Sequence, residues 1–458
     1  MASSLRIGRS GAVDMTTGSV AGHLITFAIP LLLGNLFQQF YNMVDTWVVG
    51  NYVGNEAFSA VGSVTPIVNM LIGFFTGLAN GAGVVISQYY GAKRYDDVRR
   101  TVQTSALLTL FLGVLFTAAG LWMTPHLLRM MKTPPEVFPQ SMAYLNIYFA
   151  GIIGLMIYNM GAGILRAVGD SNRPFYYLVI CAVLNILLDL FFVLVLHLGV
   201  RGVALATILA QSVSAVLVVL SLLRTKSCVR LSLSAMKLHG DVLKKVIRIG
   251  FPAAIQVSVT QFSNIFVQSY INFFGADCMS GWTAYLKLDQ LLFLPMQSLG
   301  LASTTFVGQN LGDHQVQRAK QGVRTACLLA MGITALLIVV LILPAAPYLV
   351  AFFNDKPAVV QYGTLFLRYL SPFYILCAIN QVYMAALRGS GNSKAPMIIM
   401  LLSFVLFRQV YLFVMANFIS NTVLPISMAY PAGWLLCSLL MVLYYHHVGL
   451  DKHTVLEK

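Results

Sequence analysis

Charge is what this chain lacks. Only 10% of its 458 residues are charged and 15 are acids, against 58% hydrophobic residues. A soluble domain carries roughly 25% charged residues to cover its surface, so a water-soluble fold is excluded. A CxxC pair is also missing. Cys181, Cys228, Cys278, Cys327, Cys377 and Cys437 are scattered, mostly inside apolar runs, and read as free packing thiols. There is no GxxxxGK(S/T) cradle for ATP, no HExxH and no GxSxG. No histidine sits beside a mid-membrane acid, and His197, His446 and His447 end apolar runs at expected interfaces. The first 20 residues carry Arg6 and Arg9 but no short apolar core before a cleavage site, so no removable signal peptide is expected.

What the chain has in abundance is apolar runs of about 20 residues, the length a helix needs to cross roughly 30 Å of hydrocarbon. The short alternating segments of a membrane barrel are absent. The expected fold is all-α and polytopic, with twelve spans near 22–49, 57–87, 101–123, 138–163, 175–198, 202–223, 247–274, 281–307, 321–343, 360–387, 395–418 and 426–447. Pro30, Pro66, Pro252, Pro295, Pro372 and Pro431 fall within spans and mark bending points, because proline removes a backbone hydrogen bond. With this span count, 22 of the 29 basic residues fall in connections on one side and only Arg129, Lys132, Arg201 and Lys356 on the other. Lys287, Arg368 and Arg408 remain within spans. The positive-inside rule then places both termini in the cytoplasm of a cell with a plasma or inner membrane. The formal charge of +14 follows from that topology and anionic lipid, with no nucleic-acid partner.

The chain also repeats itself. LRAVGDSNRP at 165–174 and LRGSGNSKAP at 387–396 share five of ten positions at an offset of 222. QYYGAKRYDDVRRTVQTSALL from Gln88 echoes QNLGDHQVQRAKQGVRTACLL from Gln309. Pro30, Gln39 and Asn42 match Pro252, Gln261 and Asn264. Each match falls at the same point of a six-helix half, and an even number of helices preserves orientation, so the repeat is parallel. The expected organisation is an N-lobe at 1–223, a cytoplasmic linker at 224–246 and a C-lobe at 247–458. Two such lobes suit alternating access to a central cavity.

Three acids lie within spans: Asp45, Asp189 and Asp289. An intramembrane carboxylate is costly and is a functional candidate by default. Asp45 has Tyr41 and Asn42 for polar company and no base one turn away. Asp189 follows Asn185 by four residues, which puts amide and carboxylate on one helix face. This pair can share a proton or hold a small hard cation such as Na+ through oxygen. Asp289 follows Lys287 by two residues and points away from it; pairing with Arg408 and contact with substrate both remain open.

The order of these features resembles the multidrug and toxic compound extrusion (MATE) family: MVDTWVVGNYVG ending the first helix, LRAVGDSNRP after the fourth, NILLD in the fifth and FVGQNLG after the eighth. The resemblance implies secondary active efflux of organic, often cationic, compounds against H+ or Na+, with no further cofactor. It matches Asp45, Asn185 and Asp189 to the ion-coupling residues of the DinF-like branch, Tyr144 and Thr207 to further polar cavity residues, and Pro30 to a hinge. Gln39, Asn42 and Asp289 are added as cavity candidates. The acids that the NorM-like branch places in its seventh and tenth helices are missing from QVSVTQFSN and ILCAINQVYMAAL. The expected partners are small organic substrates and the lipid bilayer, and the chain is expected to act as a monomer. A lipid-linked saccharide flippase is the alternative within the superfamily, and a membrane-embedded enzyme or a channel the alternative outside it.

Overall fold

The computed structural model describes residues 12–131 and 133–456, without the side chains of Asn55, Gln261, Phe262 and His453. Arg6, Arg9, Lys132 and Lys458, counted above in the charge asymmetry, lie outside the described residues. Twelve long helices follow one another, and no strand occurs among the described residues. Six are α1 (Val20–Val53), α2 (Glu56–Gly91), α3 (Tyr95–Met130), α4 (Phe138–Ala167), α5 (Asn172–Val195) and α6 (Gly199–Arg224). After a connection rich in basic residues come α7 (Gly240–Asn272), α8 (Ala276–Gly312), α9 (Val316–Ala351), α10 (Pro357–Gly389), α11 (Lys394–Ile419) and α12 (Val423–Val448). Apart from α7, each is long and apolar enough to cross a membrane. Several extend beyond the apolar windows of the sequence, because polar residues such as Asp277 in α8 continue the helix into water. Pro372 tightens one turn of α10, Ser371–Phe373, into a 3-10 turn, and Pro30, Pro66, Pro252 and Pro295 lie inside their helices.

The chain forms two compact units. One holds the segment ending at Asp14 together with Pro30–Ala254; the other holds Met15–Ile29 and the chain from Ile255 onward. Two helices therefore contribute to both. Helix α1 passes from one unit to the other at Pro30, and α7 does so two residues beyond Pro252.

The internal repeat is visible in the backbone. Positive φ angles come in pairs: Gly54 (117°) with Gly275 (91°), Lys93 (57°) with His314 (57°), and Gly169 (86°) with Gly391 (97°). At the second loop of each repeat, Arg94 N–H donates to Tyr89 O (2.9 Å) and Gln315 N–H to Asn310 O (2.7 Å). In LRAVGDSNRP and LRGSGNSKAP a left-handed glycine ends a helix, as glycine does most readily. The next residue, Asp170 or Asn392, donates its N–H to Leu165 O (3.1 Å) or Leu387 O (3.0 Å). The same side chain then accepts from the N–H of Arg173 (3.2 Å) or Ala395 (3.1 Å), starting the following helix.

Within the first unit, α2 and the first half of α7 touch backbone to backbone. A Cβ on Gly77 would lie 2.5 Å from Ala254 N, and one on Gly81 2.4 Å from Gly250. Small residues permit this approach, the main way helices pack tightly where lipid offers no hydrophobic drive. The core that fixes the candidate site lies alongside, with Leu71, Phe75, Tyr144, Tyr148, Phe149 and Val203 buried together.

Candidate functional site

Four helices of the first unit bring polar groups together, each with side chains four residues apart on one face: Tyr41 and Asp45 on α1, Tyr144 and Tyr148 on α4, Cys181, Asn185 and Asp189 on α5, and Thr207 and Gln211 on α6. The carboxyl groups of Asp45 and Asp189 lie close to each other. Tyr41 lies beside Asp45, Cys181 and Tyr148. Tyr144 lies beside both acids, and its ring stacks on Tyr148 with centroids 6.3 Å apart and planes 12° from parallel. Gln211 lies near Tyr148, whose buried hydroxyl has no hydrogen-bond partner among the described residues. Thr207 is buried, and its hydroxyl donates to Val203 O (3.0 Å).

Unsatisfied buried atoms occur elsewhere in the chain, but here five of them belong to three neighbouring side chains. Asp189 is 0% exposed and Asn185 1%. Both oxygens of Asp189, both side-chain polar atoms of Asn185 and Oδ1 of Asp45 are buried without a hydrogen-bond partner among the described residues. Buried polar groups are ordinarily paired, and each exception calls for an explanation. Here two acceptors lie close together with nothing between them to donate. A proton supplies a donor, and a small cation supplies a charge that four hard oxygens, Asp45 Oδ1, both of Asp189 and Asn185 Oδ1, are suited to receive.

Both acids sit just before irregular backbone. Helix α1 widens into a π-helical turn at Val49–Val53, four residues past Asp45, and α5 does so at Phe191–Val195, two past Asp189. The two turns touch. Single π-turns within helices concentrate at functional positions.

The other expected site residues are placed separately. Gln39 is half-buried on α1, and Asn42 is exposed, with its carbonyl accepting from Thr46 Oγ1 (2.8 Å). Asp289 belongs to the second unit, where it accepts from Tyr374 Oη, which in turn lies 2.9 Å from Tyr285 Oη. The pairing of Asp289 with Arg408 does not form. Arg408 Nη2 instead donates to Ser263 Oγ (2.6 Å) and Asn264 Oδ1 (2.9 Å) on α7, with the guanidinium 4.9 Å from the Tyr430 ring centre. Neutral oxygens on α7 are nearer to α11 than the acid on α8, and Tyr374 occupies that acid. Sequence reasoning missed Tyr148, Cys181 and Gln211; the four-residue spacing from Tyr144, Asn185 and Thr207 is the signal that pointed to them.

Comparison with known proteins agrees with this architecture. The MatE family model matches residues 30–191 and 252–414, one stretch in each repeat and well over half of the chain. The chain is 29% identical to the probable multidrug resistance protein YpnP of Bacillus subtilis over 437 residues, covering 95% of this chain and 97% of that one. It is 27% identical to the probable multidrug resistance protein NorM of Thermotoga maritima over 449 residues, covering 95% and 94%. Its fold matches the outward-facing conformation of a multidrug resistance MATE family transporter of the MOP superfamily, with a TM-score of 0.91 at 23% identity over 97% of this chain and 99% of the other. The twelve helices, the doubled backbone and the doubled family match together establish that this chain belongs to the MatE family, the multidrug and toxic compound extrusion transporters, and is a membrane transporter, not an enzyme.

Proposed function

We propose that the protein is a cation-coupled antiporter that exports organic, mostly cationic compounds across the plasma membrane by alternating access, with both termini cytoplasmic. The coupling ion, H+ or Na+, binds at Asp45, Asn185 and Asp189, as in the DinF-like branch. One observation carries this reading: two carboxyl groups and an amide meet in a membrane-spanning unit with four of their five oxygens buried and without donors. A purely structural cluster would satisfy itself, because an unmade buried hydrogen bond costs about 1–3 kcal/mol. A site that takes up and releases an ion cannot be satisfied permanently by the protein. The first repeat alone carries the pair, since Asp45 corresponds to Val267 and Asp189 to Tyr411 in the second. Pro30, where α1 passes from one unit to the other, supplies the bending point through which ion binding alters the helix.

The test is efflux of a cationic dye from proteoliposomes under a pH gradient alone and a sodium gradient alone. Export under one gradient, abolished by Asp45→Asn and by Asp189→Asn, is the expected result. Export under both or neither, or an unchanged rate in both variants, would overturn the coupling assignment.

A further inference from the structure

Helix α8 leaves one face uncovered within the second unit. Met279, Thr283, Lys287, Gln290 and Leu291 are all exposed along it, at the spacing of a single helix face, while Trp282, Tyr285 and Leu288 are buried on the other side. The equivalent positions of α2, Phe58, Gly62, Pro66, Asn69 and Met70, are exposed as well. Both repeats thus hold the same face open, and Asn69 answers Gln290. The one charge on either face is Lys287, where the first repeat has Pro66.

Lys287 has no hydrogen-bond or ion-pair partner among the described residues. The acid two positions on, Asp289, points elsewhere and is engaged by Tyr374. Asp277, ion-paired with Lys356 at 2.5 Å and partly exposed, marks an aqueous edge of the helix. Lys287 lies ten residues further along, about 15 Å down the axis, and six residues, about 9 Å, into the apolar run that begins at 281. An unpaired ammonium at this depth is expensive against lipid and is found facing water, a partner or a substrate.

We propose that Lys287, flanked on the open face of α8 by Thr283 and Gln290, binds the acidic group, a carboxylate or sulfonate, of amphoteric substrates. This deepens the efflux reading and rests on it. Lysine provides the charge and Gln290 a neutral donor one turn further on, the combination that orients an anionic oxygen without closing around it, while the Thr283 hydroxyl, whose proton goes to Met279 O (2.9 Å), adds only polarity to the face. A substrate with a cationic centre and an acid is then distinguished from the same molecule with the acid esterified.

The experiment uses a zwitterionic xanthene dye with a free carboxyl and its methyl ester, with wild type, Lys287→Ala and Lys287→Arg in proteoliposomes. Lys287→Ala is expected to slow export of the acid by about tenfold or more, the order set by losing one hydrogen bond to a charged group, and to leave the ester at the wild-type rate. Lys287→Arg is expected to restore the acid. Equal effects on both dyes, or on neither, would refute the assignment. Loss of the difference in vesicles lacking anionic phospholipid would also refute it, by giving the lysine to a lipid. If wild type exports neither dye, the efflux reading fails. Dye binding in detergent, by fluorescence anisotropy, then still decides the present point: weaker binding of the acid alone to Lys287→Ala supports it, and equal binding overturns it.

Discussion

Replacing Asp189 by Asn separates an ion-coupling role from a structural one by the sign of its effect on stability. Removing a structural carboxylate would leave its donors unpaired and lower stability by about 1–3 kcal/mol. Asp189 has no donors to abandon, because both of its oxygens are buried without a partner, and another carboxyl, that of Asp45, lies beside it. Two unit charges about 4 Å apart repel by about 4 kcal/mol at an effective dielectric constant near 20. Asparagine keeps the size of the side chain, removes that repulsion and offers Asp45 an N–H donor, and a hydrogen bond to a charged group contributes about 1.5–3 kcal/mol. Asp189→Asn is therefore expected to melt at the wild-type temperature or above it in detergent, while ion-driven dye efflux falls to the level of empty vesicles. The same preparation serves for both measurements. A drop in melting temperature with efflux retained would refute the reasoning and make Asp189 a structural residue.

Three further outcomes follow from the packing. Pro30→Ala restores the missing N–H donor inside α1; it should keep dye affinity and slow transport, and spin-label distances between α1 and a neighbouring helix should vary less with pH than in wild type. Asp289→Asn and Arg408→Gln should act independently, with a coupling energy below about 0.5 kcal/mol in a double-mutant cycle, because Asp289 is bonded to Tyr374 and Arg408 to Ser263 and Asn264; strong non-additivity in melting would restore the ion pair. Gly81→Ala places a Cβ 2.4 Å from the Gly250 backbone and should lower stability by about 1–3 kcal/mol, whereas Gly62→Ala, with nothing within 4 Å of its Cβ, should be neutral or gain up to about 1 kcal/mol; equal melting temperatures for the two would count against the contact between α2 and α7.

Most of the architecture was written in the order of residues. Hydropathy counts spans because the membrane imposes one length on every helix. The repeat is legible because the turns in LRAVGDSNRP and LRGSGNSKAP need the same glycine, the same capping oxygen and the same proline in both halves. Asp45, Asn185 and Asp189 could be picked out because a charge or amide in an apolar run is conspicuous against its neighbours. What sequence could not decide was pairing in space. Asp289 and Arg408 have opposite charge and sit in the same half, yet one is bonded to tyrosine on α10 and the other to α7, since helix rotation and packing determine which groups meet. The closeness of Asp45 and Asp189 across 144 positions of sequence belongs to the tertiary structure for the same reason. So does the open face of α8: periodicity placed Lys287 and Asp289 on different faces, but only packing determined which of those faces is covered.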